Sequence, residues 1–168
     1  DLATFQTEDT RITSAKWQIL RASGTQQRKL GAWTLTAKGM AQWANTAVVG
    51  AEQFSVGGLG YVKGSPGQSS DAGLAVALQL TSPSMQGLRV LFGIDSAILS
   101  NRAISATKPA SDRLTSASIG LRYDHNNGFF ASMDYGQLLN NSTQSLTVNP
   151  NAPRRGAEVK YLSLGWRF

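Results

Sequence analysis

The chain has 168 residues, of which 41% are hydrophobic and only 15% charged, with a net charge of +6 and a mean hydropathy of −0.19. No apolar run approaches the roughly 18 residues a membrane-crossing helix needs, and apolar residues recur too regularly for a fully disordered chain. The absence of Cys removes a disulfide framework, a thiolate metal site and a cysteine nucleophile.

Taken in chain order with a period of two, the sequence divides into seven blocks of strand-like alternation. The first sets Ala15, Trp17 and Ile19 against Ser14, Lys16 and Gln18, and residues 23–30 read as a connection. In the second, Trp33, Leu35, Ala37 and Trp43 oppose Thr34, Thr36, Lys38 and Gln42. A long Gly-rich connection, residues 45–72, precedes the block in which Leu74, Val76, Leu78 and Leu80 oppose Gly73, Ala75, Ala77 and Gln79. After residues 82–87, Leu88, Val90, Phe92 and Ile94 oppose Arg89, Leu91, Gly93 and Asp95. A second long connection, residues 97–112, leads to Ala117, Ile119, Leu121 and Tyr123 against Ser116, Ser118, Gly120 and Arg122. Residues 125–128 form a hairpin signal through Asn127-Gly128, followed by Phe129, Ala131, Met133 and Tyr135 against Phe130, Ser132, Asp134 and Gly136. A third long connection, residues 139–157, ends in Leu162, Leu164, Trp166 and Phe168 against Tyr161, Ser163, Gly165 and Arg167.

Alternation alone fits either a soluble sandwich, with its apolar faces meeting in a core, or a membrane barrel, with its apolar face on lipid. Three features favour the barrel. Aromatics sit at strand ends, as an interfacial girdle requires; Lys16, Lys38, Arg89, Arg122 and Arg167 fall on the polar face; and short connections alternate with long ones. With the C-terminus on the periplasmic side, every short connection is periplasmic and every long one external. The expected fold is an all-β, antiparallel transmembrane β-barrel. Because seven is odd and single-chain barrels are even, the chain reads as the C-terminal part of a larger barrel. The rivals are a small autonomous porin- or adhesin-like barrel, with an eighth strand at residues 145–149, and a soluble β-sandwich binding module.

Gln53-Phe54-Ser55-Val56-Gly57-Gly58, followed by Val62-Lys63-Gly64-Ser65, resembles the QFSLGG and VRGY segments of the two-partner secretion transporters. These are the TpsB family of haemolysin secretion/activation proteins, within the BamA superfamily. Five blocks follow the segment, as in that family, and Gly93-Ile94-Asp95-Ser96-Ala97 is similar to its second motif. Tyr161, Leu164, Gly165, Trp166 and Phe168 resemble the terminal signal read by the barrel-assembly machinery. The resemblance implies a barrel of about 16 strands in the bacterial outer membrane, embedded in outer-membrane lipid. It would export a large TpsA-type exoprotein and could also activate it, without being an enzyme and without cofactors. It also implies that the loop folds into the lumen and that Lys63 pairs with Asp95 on the barrel wall. Lys63 stands where the family has Arg, Ser65 where it has an aromatic and Ala97 where it has Gly. Lysine supplies the charge but not the bidentate fork, so a looser anchor is expected. On the residues alone, a Gly-rich surface loop with a solvated Lys63 is the ordinary reading.

Other chemistry finds little support. The basic residues are scattered, without a nucleic-acid motif. The glycine loop fails the phosphate-binding pattern, because Gly64 follows Lys63 where Ser or Thr should stand. His125, the one histidine, sits in a turn, a poor frame for a catalytic triad or a metal site.

Overall fold

The computed structural model describes residues 2–167, so the expected strand end at Phe168 lies outside the described residues. A short helix, α1 (Leu2–Glu8), precedes β1 (Ile19–Leu30) and β2 (Trp33–Ala44). The connection after β2 holds a 3-10 turn (Gly50–Glu52) and a small hairpin of β3 (Phe54–Val56) and β4 (Gln68–Ser70). The chain continues as β5 (Ala72–Thr81), β6 (Leu88–Ser100), β7 (Ser111–Asp124), β8 (Phe129–Leu138) and β9 (Glu158–Trp166). The fold is all-β. Seven strands form one sheet in the order β1-β2-β5-β6-β7-β8-β9, each pair antiparallel, with β1 and β9 at its edges among the described residues.

Six of the seven strands fall where the alternation places them. The first does not. Residues 23–30, expected as a connection, lie within β1, and Lys16, expected on the polar face of a strand, precedes it. Between Leu20 and Leu30 at its two ends, the outward side of β1 carries Ala22, Gly24, Gln26 and Arg28, so no continuous apolar stripe marks it; its pairing with β2 defines it instead. Gly31 and Ala32 alone then make the turn. The eighth strand suggested at residues 145–149 is a turn, in which Ser145 C=O accepts from the N–H groups of Val148 (3.2 Å) and Asn149 (2.9 Å).

The two faces of the sheet differ sharply. Leu74, Val76, Leu78, Phe92, Ile94 and Ile119 project from one side and are each 45–51% exposed. Register makes them neighbours: Leu78 lies opposite Ile94, and Leu80, Phe92 and Ile119 form one cross-strand row. Among the described residues no second sheet covers this bare face. The buried core lies on the other side, where Phe54, Val56 and Val62 of the loop pack on Ala75, Ala97, Leu99, Leu114 and Leu138.

The ends differ too. The turns at residues 31–32, 82–87 and 125–128 share one end with the close of β9, where Arg167 N–H donates to Gly128 C=O at 2.9 Å. Bare-face aromatics meet there, Phe129 with Trp166 at 5.8 Å and with Tyr123 at 6.4 Å between ring centroids. The three long connections occupy the opposite end.

Candidate functional site

The Gly-rich loop lies against the small and polar face of the sheet. Its entry and exit are pinned by the β3–β4 hairpin, and the Phe54 ring occupies the space that a side chain at Gly73 would need. At Gly57 the backbone has φ +123, and a Cβ would stand 2.6 Å from Gly67 Cα. Only glycine fits there, both by conformation and by space. Gly57 N–H donates to Tyr61 C=O at 2.7 Å and Gly58 N–H to Ser65 C=O at 3.3 Å, folding the tip back on itself.

The tip is a tight turn from Val62 to Ser65, closed by Ser65 N–H donating to Val62 C=O at 2.8 Å. Val62 is fully buried with φ 54, a left-handed backbone that a β-branched residue adopts only at a cost of order 1–3 kcal/mol. Its place in the buried core with Phe54, Val56 and Leu138 holds it there. A Cβ at Gly64 would collide with the backbone of Gln137 and Leu138, and one at Gly136 would lie 2.6 Å from the Lys63 carbonyl carbon. The loop backbone therefore rests directly on β8.

The wall beneath it is set by register. Gln79, Gly93, Ser118 and Gly136 form one cross-strand row, and Asp95 faces Ser116 in the next. Asp95 is buried; its Oδ2 accepts from Lys63 N–H and from Ser116 Oγ, both at 3.3 Å. Its Oδ1 is buried without a hydrogen-bond partner among the described residues. The Lys63 side chain runs past Gly93, and its ammonium donates to Gln79 Oε1 at 3.4 Å.

Lys63 and Asp95 thus come together, and Lys63 is 8% exposed rather than solvated. The bond differs from the expected ammonium–carboxylate pair: the backbone amide reaches the acid, while the ammonium passes it. Seating the loop on Gly136 aims the amide at Asp95 and carries the stem along the groove that Gly93 leaves open. No guanidinium fork is needed for this anchor.

Of the terminal residues, Leu164 and Trp166 lie on the bare face, and Gly165 faces the other side beneath the Phe130 ring. Tyr161 also faces the loop; its hydroxyl would stand 3.8 Å from a Cβ at Gly58. His125 stays in its turn, its Nδ1 accepting from Asn127 N–H at 3.3 Å. Among the described residues no group of three or more His, Cys, Asp or Glu is placed to hold a metal ion.

A second set of buried polar residues carries no periodic signal in the sequence. Asp71, fully buried, accepts from Arg102 N–H (2.8 Å), Val48 N–H (3.1 Å) and Arg11 Nη1 (3.3 Å). It joins the N-terminal segment to two long connections. Close by, the Lys108 ammonium donates to Ser69 C=O (2.6 Å), Ser69 Oγ (2.8 Å) and Gln53 Oε1 (3.3 Å). Gln53, the first residue of the loop motif, is thus held by the connection between β6 and β7. Burial, then the neighbouring Arg11 charge, pushes the Lys108 ammonium below the ordinary lysine range. No protein-family model matches the sequence, and no curated protein matches it.

Proposed function

We propose that this chain is part of an outer-membrane β-barrel whose lumen passes a partner exoprotein and whose Gly-rich loop sits inside that lumen. The observation that carries this reading is the contrast between the faces. Soluble monomers rarely expose contiguous apolar patches beyond about 300–600 Å², yet large apolar side chains lie half-exposed in adjacent rows here. On β7 the bare apolar stripe runs from Ala117 to Tyr123, roughly 20 Å at about 3.3 Å per residue. A lipid-facing band stands about 25 Å tall. The polar face, with its seated loop, then faces water inside the barrel. In a closed barrel the edges β1 and β9 each pair with a strand outside the described residues.

Passage of a polypeptide is the reading that suits a wet, charged face with a folded-in plug, and the resemblance to the TpsB family agrees with it. The chain then acts as a conduit rather than an enzyme. Energy comes from folding of the exported protein outside the cell. Among the described residues no helix is long and apolar enough to cross a membrane.

Topology tests the reading. Cysteines introduced at Asn141 and Asn127 should react differently with an impermeant thiol reagent on intact cells: 141 labelled, 127 protected. Labelling at 127 alone would overturn the assignment.

A further inference from the structure

Below the loop tip, three cavities adjoin along the loop-covered face. The first, about 250 Å³, is lined by Lys38, Lys63, Asp95 and Arg122, with Leu59 above and Ala77 and Leu91 in the floor. The second, about 530 Å³, shares Thr36, Gln79, Leu91 and Arg122 with the first and adds Arg89. The third, about 290 Å³, shares Arg89 and Arg122 with the second and ends at Asp124 and Arg167, beside the short turns. Together they form a trough. From Ser116, opposite Asp95, to Asp124 the strand advances roughly 25 Å at about 3.3 Å per residue, the length of seven or eight extended residues.

Five cations line the trough beside the carboxylates of Asp95 and Asp124, with Asp134 as a third carboxylate behind Arg122. Asp124 is shared by Arg167 (3.3 Å) and Arg89 (3.9 Å), and Arg122 is held by Asp134 at 2.7 Å. The Lys38 and Lys63 ammonium groups form no ion pair with a carboxylate among the described residues. Lys63 reaches only a neutral amide oxygen. Asp95 lines the same cavity, and its buried Oδ1 lacks a donor. A ligand satisfying all of these carries carboxylates for the lysines and an N–H for Asp95. An extended acidic polypeptide carries both along its length, and a free anion lacks the N–H.

We propose that this trough binds an extended polypeptide segment rich in Asp or Glu, its carboxylates against Lys38 and Lys63 and a backbone N–H donated to Asp95 Oδ1. The site stands on its own geometry; only its use as a track for an exported chain rests on the lumen reading. Apolar patches in the floor, Ala77 and Leu91, accept side-chain stems. Selection is by charge complementarity, which sets partner choice and encounter rate.

The test uses the full chain in neutral detergent with a fluorescent deca-glutamate peptide, followed by anisotropy. Binding should exceed that of deca-glutamine by at least about tenfold and weaken steeply with added salt, as screening of partly exposed charges requires. Lys38→Glu should weaken deca-glutamate by about tenfold and leave deca-glutamine unchanged, four of the five cations being still in place. If that variant does not fold, Lys38→Gln should weaken deca-glutamate about three- to fivefold, the range for one partly exposed charge. Equal binding of deca-glutamine, or no response to either Lys38 variant, would overturn the proposal. So would an equally charged oligonucleotide or free glutamate binding as well as the peptide, which would make the trough a general anion attractor. Insertion into lipid vesicles is measured separately. A chain that binds deca-glutamate but does not insert leaves the trough standing and removes the membrane reading.

Discussion

The two faces of the sheet are built from the same seven strands, residue by alternate residue, yet they meet opposite demands. On the bare face, Leu78, Ile94, Phe92 and Ile119 are large, apolar and half-exposed. On the covered face, Gly93, Ser116, Ser118 and Gly136 are small, and Asp95 is charged and buried. In a water-soluble domain the apolar stripe of a sheet marks the core. Here the core is assembled on the other side, where small residues let a loop backbone lie flat on the strands. Apolarity and burial have come apart, and what each face tolerates should follow from its own neighbour rather than from hydrophobicity.

The largest effect is expected from a charge at the centre of the bare face. Ile94→Arg should cost about 2–4 kcal/mol in a bilayer, the range for a lipid-facing arginine near the midplane, and should sharply reduce insertion into vesicles. The same change on a water-exposed surface would fall within about 0.5 kcal/mol. An unfolding titration in vesicles decides it, and near-neutrality would break the contrast between the faces. The next largest comes from the covered face. Gly136→Val places a side chain where the Lys63 carbonyl carbon sits 2.6 Å from a Cβ. The loop must lift, at about 1–3 kcal/mol for overpacking, and residues 45–71 should become sensitive to protease. Ala131→Val, on the opposite side of the same strand, should leave the digestion pattern unchanged.

How much of this could be read in advance depended on the kind of signal. Strands with a clear apolar stripe, such as β6 with Leu88, Val90, Phe92 and Ile94, were legible from periodicity. β1 was not, because Gly24, Gln26 and Arg28 give its outer side no stripe, and only pairing with β2 places it. At the site, Asp95 was legible twice, by its polar-face position and by its motif. The role of Gly136 was hidden, since nothing local says that a backbone 73 residues away rests on it. Asp71 and Lys108 were hidden for the same reason: their partners lie on other connections, and an isolated acid or base in a loop has no period.

At the long-loop end a smaller effect should depend on pH. The Lys108 ammonium is held below the ordinary lysine value of 10.5, chiefly by burial. The folded state then binds fewer protons than the unfolded state between that lowered value and 10.5. Stability should rise with pH across this interval, by at most about 1.4 kcal/mol per pH unit for one group, while the cost of burying the charge persists in full below it. Lys108→Met should remove that increment without altering the slope at neutral pH. Urea midpoints taken up to about pH 10.5 would show it, and identical slopes in the two proteins would count against a half-buried ammonium at Ser69.

The smallest effect is the coupling between Lys63 and Asp95 across the contact that joins loop to wall. Since Asp95 accepts from the Lys63 backbone N–H, Lys63→Ala leaves that bond in place and loses only the stem beside Gly93 and the 3.4 Å contact to Gln79. Asp95→Ala removes the acceptor for both Lys63 N–H and Ser116 Oγ, and should cost about 1–3 kcal/mol for donors left buried. The two side chains then make no direct contact and face each other only across the cavity they both line, so the double variant should sit close to the sum of the singles, with coupling below about 1 kcal/mol. A direct buried ion pair behaves otherwise: breaking one costs about 3–5 kcal/mol, because the surviving charge is stranded. Lys63→Arg offers a second discrimination, since its fork could span Asp95 Oδ1 and Gln79 together. If it stabilises the loop while Lys63→Ala barely disturbs it, the backbone anchor stands and the side chain is an addition to it. Coupling of several kcal/mol between Lys63 and Asp95 would instead mean that the ammonium, not the amide, holds the loop against the wall.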